Sequence, residues 1–374
     1  MTPVFSSRTA WNRTPNRLAA TRKARTSPVI DLTESNPTRC GLTVEGDRIR
    51  AALSKPEILK YDPDPKGRLD AREAIARLYP DLGGGRAASR IVLGASTSEA
   101  YVWLFRLLCE PGDEVLVPSP CYPLFDDLAR LSDVTLKAYP LIEAAGYRID
   151  LERLVESAGP RTRAVLVVSP GNPTGTFLKQ DELTALDGIC AARGLALVAD
   201  EVFADYGIGD DAGRVRTVAR DGGRALTFAL SGLSKMLALP QLKLGWIATA
   251  GPEALAGEAL DRLELIADTY LSVNTPVQVA AGDLLALRPA IQAHVRARLD
   301  ANRRTLARFL APPHPAHVVP SEGGWSAIVR VPATRSDEEW AITLVEQEGV
   351  LVQPGYFYDF PGDGRLVVSL LPDE

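Results

Sequence analysis

The chain has 374 residues, 46% hydrophobic and 24% charged, enough to bury a large core and ordinary for a globular protein rather than a repetitive or disordered one. Its net charge of -5 offers no basic footprint for nucleic acid or an anionic membrane, and no stretch is long and apolar enough to span a bilayer. Cys40, Cys109, Cys121 and Cys190 form no CxxC pair, and His294, His314 and His317 sit in no ligand motif, so a reduced cytoplasmic setting without a structural metal is expected.

Residues 1–30 show no strong helix or strand period. Their basic residues, Arg8, Arg13, Arg17, Arg22, Lys23 and Arg25, have no apolar segment beside them, which favours an arm packed on the protein over a targeting segment. Asp31 to Thr38 reads as a short extended segment ending at the Asn36-Pro37 turn. Tyr61 to Gly67 is a turn-rich loop, and Arg68 to Tyr79 has helical spacing.

Arg90 to Leu93 reads as a strand, followed by Gly94-Ala95-Ser96-Thr97-Ser98-Glu99 and an apolar helix through Leu108. Small hydroxylated residues at a helix start expose amides and the positive end of the dipole, a cradle for phosphate. An ordinary serine cap with Glu99 near its third position explains the same residues, and the spacing alone favours the cap.

Further strands are expected at Glu114–Val117, before the proline-rich loop that presents Tyr122, and at Val134–Tyr139. Ala164–Val168 has the continuous β-branched character of a parallel strand covered on both faces. It runs into the turn Ser169-Pro170-Gly171-Asn172-Pro173-Thr174-Gly175. A helix at Gln180–Arg193 and a strand at Leu195–Ala199 complete a βαβ unit. Asp200, directly after that buried strand, is costly without a cation or donors and is therefore a site candidate.

Ala225–Leu230 reads as another buried strand, which places Lys235 in the loop beyond a strand's carboxyl end, where α/β sheets hold ligands. Partial desolvation there would release the neutral amine as a nucleophile. Leu244–Thr249 is a strand, and helical patterns fill Pro252–Tyr270 and Pro276–Ala311, the second interrupted near Pro289. Shorter strands at Ala327–Val331 and Leu366–Leu370 flank a helix at Asp337–Glu348. The expected fold is α/β: a large domain, residues 46–290, with a mostly parallel sheet, and a smaller α+β domain from residues 1–45 and 291–374.

From about Asp31 to Leu370 these motifs, in this order, resemble the fold-type I, pyridoxal-phosphate-dependent aminotransferases of class I/II. The resemblance implies that Lys235 forms the Schiff base with pyridoxal 5'-phosphate, that Asp200 pairs with the ring nitrogen, and that Asn172 donates to the phenolic oxygen. It implies phosphate contacts from Thr97, Ser98, Ser234 and Lys243, and a ring stacked on Tyr122. Tyr61 resembles the tyrosine that reaches the phosphate of a neighbouring subunit, implying a homodimer with shared sites. Asn36, Asn172 and Arg365 are the implied substrate contacts, Arg365 clamping the α-carboxylate. Two positions depart from the common pattern: Phe203 stands where many relatives have tyrosine, and Lys243 where arginine is usual.

The implied reaction is ping-pong transfer of the amino group of an α-amino acid to a 2-oxo acid. A lyase, cyclase or oxidase of the same fold is the alternative. An amino-acid-sensing regulator would need a DNA-binding domain, for which some thirty residues before Asp31 are too few, and no strand leads into the GxGxxG of a nicotinamide enzyme. Trp103, Trp325, Phe357 and Tyr358 are candidate pocket walls or core aromatics.

Overall fold

The apolar runs assemble into one eight-stranded sheet in the computed structural model, which describes residues 4–373 apart from 13 and 43. Arg13 of the basic arm thus lies outside the described residues. In chain order the strands are β1 (Ile91–Gly94), β2 (Glu114–Ser119), β3 (Thr135–Ile142), β4 (Arg148–Ile149), β5 (Thr162–Val168), β6 (Ala196–Asp200), β7 (Thr227–Gly232) and β8 (Gly245–Ala250). Their order in space is β1-β8-β7-β6-β5-β2-β3-β4. The pairs β3/β2, β2/β5, β5/β6 and β6/β7 are parallel, whereas β8 runs antiparallel to both β1 and β7.

Alternation along each strand feeds two apolar layers. Leu166 packs with Tyr101, Trp103, Leu104 and Leu263 on one face, and its neighbours Val165 and Val167 pack with Leu183, Leu186 and Ala199 on the other. Covering both faces leaves the strand ends as the places where polar groups emerge. The carboxyl ends of β1, β5, β6 and β7 therefore carry the helix start at Thr97, the Ser169–Gly175 turn, Asp200 and the Lys235 turn.

The C-terminal part contains β9 (His317–Val318), β10 (Ser326–Arg330), β11 (Gln353–Pro354) and β12 (Arg365–Ser369), an antiparallel sheet in the order β9-β10-β12-β11. Ile30–Asp31 pairs in parallel with Val350–Leu351, fastening the N-terminal segment to this part. The basic arm forms a helix, Arg17–Ala24, capped by the Asn16 side chain, and Arg17 reaches Glu338 at 3.0 Å.

One expectation holds and one shifts. The long helical pattern is divided at Leu287 into Thr275–Ala286 and Arg288–Phe309, because Pro289 has no amide for a continuing helix but fits the first turn of a new one. Lys235 lies in a one-turn helix, Leu233–Met236, and not in an open loop. Leu233 N donates to Leu244 O at 2.9 Å and Leu237 N to Leu233 O at 3.1 Å, which winds the chain immediately after β7.

Candidate active site

The strand ends surround a cavity of about 350 Å³ between the large sheet and the C-terminal part. Thr97, Ser98, Tyr122, Asn172, Asp200, Phe203, Ser234, Lys235 and Lys243 all line it.

At one end lies the first turn of helix Thr97–Leu108. Ser96 is its N-cap, the hydroxyl accepting from Glu99 N at 3.1 Å, while Glu99 Oε2 accepts from Ala95 N at 2.7 Å. The cap and the cradle coexist, since Ser96 serves Glu99 and the amides of Thr97 and Ser98 have no intrahelical acceptor. Gly245 lets β8 approach this turn: a Cβ there would sit 3.0 Å from Ser96 C and 3.1 Å from Thr97 N. The Ser234 hydroxyl side and Lys243, held at φ +55°, complete a donor set suited to an anion.

Asp200 is 8% exposed at the end of β6. One carboxylate oxygen accepts from Val202 N at 3.1 Å and the other from Tyr101 Oη at 2.8 Å. Burial raises its pKa, opposed by the Val202 amide, the Tyr101 hydroxyl and Lys235. A cationic ring nitrogen is the partner such a carboxylate lacks. Tyr101, missed in the sequence, was hidden among helix positions whose apolar spacing reads as core.

Lys235 faces the cavity with its Nζ 5.3 Å from the Trp325 ring centroid and 5.6 Å from that of Phe203. Burial lowers its pKa, opposed by Asp200, which favours the nucleophilic free amine. Its turn is fixed by Tyr206, whose hydroxyl donates to Lys235 O at 2.8 Å, and by Gln292, whose amide donates to Met236 O at 3.1 Å. Trp325 packs edge-on against Phe203 and Tyr206, holding a wall from the C-terminal part over the lysine.

The opposite end is lined by Thr33, Ser35, Ser326, Gln353, Tyr358, Val367 and Ser369. Two residues expected here, Asn36 and Arg365, are elsewhere, and Tyr61, expected to serve a neighbouring subunit, lies outside this cavity. The Asn36 side chain turns back to accept from Thr38 N and Oγ1, leaving Thr33 and Ser35 at the cavity. Tyr61 is 76% exposed and lines a separate depression with Trp103 and Leu271. Arg365 points away: its Nη2 donates to Glu143 Oε2 at 2.5 Å and its Nη1 to Pro361 O at 2.9 Å, with Phe360 across the guanidinium. Of the candidate aromatic walls, Trp325 and Tyr358 line the cavity, Trp103 does not, and Phe357 packs against Tyr356.

The phosphate-suited cradle, the buried carboxylate and the low-pKa lysine fit pyridoxal 5'-phosphate in one orientation, and with this sheet they define a fold-type I enzyme of that cofactor. Within that class the chain belongs to the class I and II aminotransferase family, whose model matches residues 27–374. It is 26% identical over 351 residues to the glutamate-pyruvate aminotransferase AlaA of Escherichia coli K12, covering 92% of this chain and 86% of that one. It is 27% identical over 366 residues to the alanine aminotransferase of Mycobacterium tuberculosis H37Rv, covering 95% and 84%. The crystal structure of an aminotransferase from Escherichia coli matches with a TM-score of 0.86 at 26% identity, covering 99% of this chain and 95% of that one. The protein is thus a pyridoxal-phosphate-dependent aminotransferase.

Among the described residues, no group of three or more His, Cys, Asp or Glu is placed to hold a metal, and no helix is long and apolar enough to cross a membrane.

Proposed function

We propose that Lys235 is the Schiff-base lysine and that this chain moves an amino group between an amino donor and a 2-oxo acid by a ping-pong route. The observation that carries the reading is the joining, in one cavity, of Lys235, Asp200 and the cradle at Thr97 and Ser98. When bound, pyridoxal phosphate supplies an aldehyde that condenses with amines and a ring that accepts electrons from the α-carbon. Thr97, Ser98, Ser234 and Lys243 would hold the phosphate, and Tyr122 and Asn172 would border the ring. Asp200, steadied by Tyr101, keeps the ring nitrogen protonated. Lys235, as a free amine beside the donor's α-carbon, would carry the α-proton.

The names of the relatives suggest small amino acids and their keto acids as first substrates to try. We further propose a cytoplasmic homodimer. Four free cysteines suit a reducing compartment, and Tyr61 is exposed outside the cavity, beside Leu271 in a separate depression, a placement that suits contact with a second subunit.

Borohydride reduction followed by peptide mass spectrometry tests the assignment. The cofactor mass is expected on the peptide bearing Lys235, and a label on another lysine would overturn it.

A further inference from the structure

A helix of one turn cannot hold itself. Leu233–Met236 has four residues, and a segment that short is helical only where outside partners take its terminal carbonyls. Here the partners are side chains. The Tyr206 hydroxyl donates to Lys235 O at 2.8 Å and lies 3.2 Å from Met236 O, and the Gln292 amide donates to Met236 O at 3.1 Å.

Both side chains are sunk in the core, Tyr206 1% and Gln292 3% exposed, and neither lines the cavity. Apolar residues of the same size would fill that space without the cost of burying a polar group, so the hydrogen bonds to the lysine turn are what these two polar ends supply.

The two donors arrive from different parts of the chain. Tyr206 follows β6, six residues after Asp200. Gln292 belongs to the helix Arg288–Phe309, one stripe of which, Arg288, Gln292 and Arg296, recurs every four residues and faces the same ground. Arg288 pairs with Asp205, and Arg296 Nη2 donates to Asp205 O at 2.6 Å and to Gln292 Oε1 at 3.3 Å, which turns the Gln292 amide N–H groups toward Met236. Farther along the helix, Arg303 Nη2 donates to Gly324 O at 2.7 Å, while Gly324 N donates to Tyr206 O at 3.0 Å. The next residue is Trp325, whose ring packs against Tyr206 and stands 5.3 Å from Lys235 Nζ. One helix thus fastens the lysine turn and the wall above it.

A lysine amine hangs on a flexible stem, so where it can reach is decided by where its main chain is held. Proton transfer needs the two heavy atoms at about 3 Å, and a misplacement of about 1 Å can cost about 10²-fold in rate. We infer that Tyr206 and Gln292 are positioning residues for the reaction: by holding the carbonyls of Lys235 and Met236 they aim the Lys235 amine, and through the shared helix they tie that aim to the Trp325 wall. The inference rests on the Lys235 reading and adds to it the residues that fix the lysine from behind.

The test compares Tyr206→Phe and Gln292→Leu with Asp205→Asn, all as holoenzyme. Tyr206→Phe keeps the ring against Trp325 and removes only the hydroxyl, whereas Asp205→Asn weakens the hold of Arg288 and touches neither carbonyl. Tyr206→Phe should slow single-turnover α-proton removal about 10- to 100-fold and Gln292→Leu about 3- to 10-fold, with KM for the amino donor changed by less than about twofold. The amine must be neutral to take the proton and burial lowers its pKa, so an amine freed to move toward solvent should carry the limb of the rate profile to higher pH. Asp205→Asn should lower stability to denaturant while rate and limb stay in place. A Tyr206→Phe enzyme with an unaltered rate, or one whose loss is matched by Asp205→Asn with the limb unmoved, makes the pair core packing and overturns the inference. Should Tyr206→Phe fail to fold, Gln292→Leu carries the same two readings against the same control. Failure of the underlying reading shows separately, as a borohydride label on a lysine other than Lys235 in the unaltered protein.

Discussion

The two ends of the cavity are built differently. The cofactor end is made where strands β1, β5, β6 and β7 stop and the chain must turn, so its chemistry sits on main-chain features: a helix start, a tight turn and a carboxylate at a strand terminus. The substrate end is made by the facing of β10, β11 and β12 and by a segment near residue 33. There, two residues along a strand separate Val367, which lines the cavity, from Arg365, whose guanidinium is paired with Glu143. Strand-end chemistry tolerates small errors of register; cross-strand chemistry does not.

The largest effect expected at the cofactor end is from Lys235→Ala, which should lower turnover roughly 10³- to 10⁴-fold while the cradle still retains cofactor. Single-turnover rates and the cofactor content of purified protein check both parts. Complete loss of cofactor would mean that the cradle at Thr97 does not hold the phosphate.

Asp200→Asn should slow α-proton removal about 10²- to 10³-fold with a much smaller loss of cofactor affinity, because the carboxylate matters most as negative charge reaches the ring. Equal losses would make Asp200 a structural residue. Tyr101→Phe sharpens the same point with a smaller loss, about tenfold. Its hydroxyl helps to hold the Asp200 pKa down, so its removal should move the acid limb of the rate profile to higher pH. A profile that stays in place would separate Tyr101 from the ring-nitrogen contact.

At the substrate end, Arg365→Lys should cost about 1–2 kcal/mol of unfolding stability through the loss of its forked contacts, with KM for the amino donor unchanged. Denaturant unfolding beside steady-state kinetics separates the outcomes. A rise in KM without loss of stability would place the guanidinium in the cavity.

A further effect, confined to the pH dependence of stability, lies beside Asp200. Burial pushes the Glu201 carboxyl up to about 8 from its ordinary 4.5, the Val218 amide and Thr217 opposing. The folded state therefore binds a proton that the unfolded state has released over that interval, so this group's contribution to stability falls from pH 4.5 toward 8 and is level outside it. Glu201→Gln should flatten that slope in chemical-denaturation series, and an unchanged slope would assign it to other groups.

Much of the large sheet was legible because a continuous apolar run followed by a turn motif marks a covered strand and its end. Gln180–Arg193 formed as read, and β7 formed only two residues later than expected. Lys235, Asp200, Asn172 and the Thr97 helix start follow such runs, and they meet in the cavity. Tyr101 was not legible, since a helix position facing a carboxylate looks like any other apolar-face aromatic until the strand beneath it is known. Ser326, Gln353 and Ser369 were invisible for a related reason. Their place in the cavity depends on which residues of three short strands lie opposite one another, and short strands carry little register information in sequence. Arg365 shows the converse: a motif marks its place in the chain, yet its direction is decided by Glu143, 222 residues away.

The difference between the two ends is tested most directly by Asp200→Asn beside Ser369→Ala in the holoenzyme, each read as the single-turnover rate of α-proton removal and as KM for the amino donor. Asp200→Asn should slow proton removal about 10²-fold or more with KM little changed, and Ser369→Ala should raise KM with proton removal nearly unchanged. The reverse pattern, or equal losses of both in either variant, would contradict a cavity divided into a cofactor end and a substrate end.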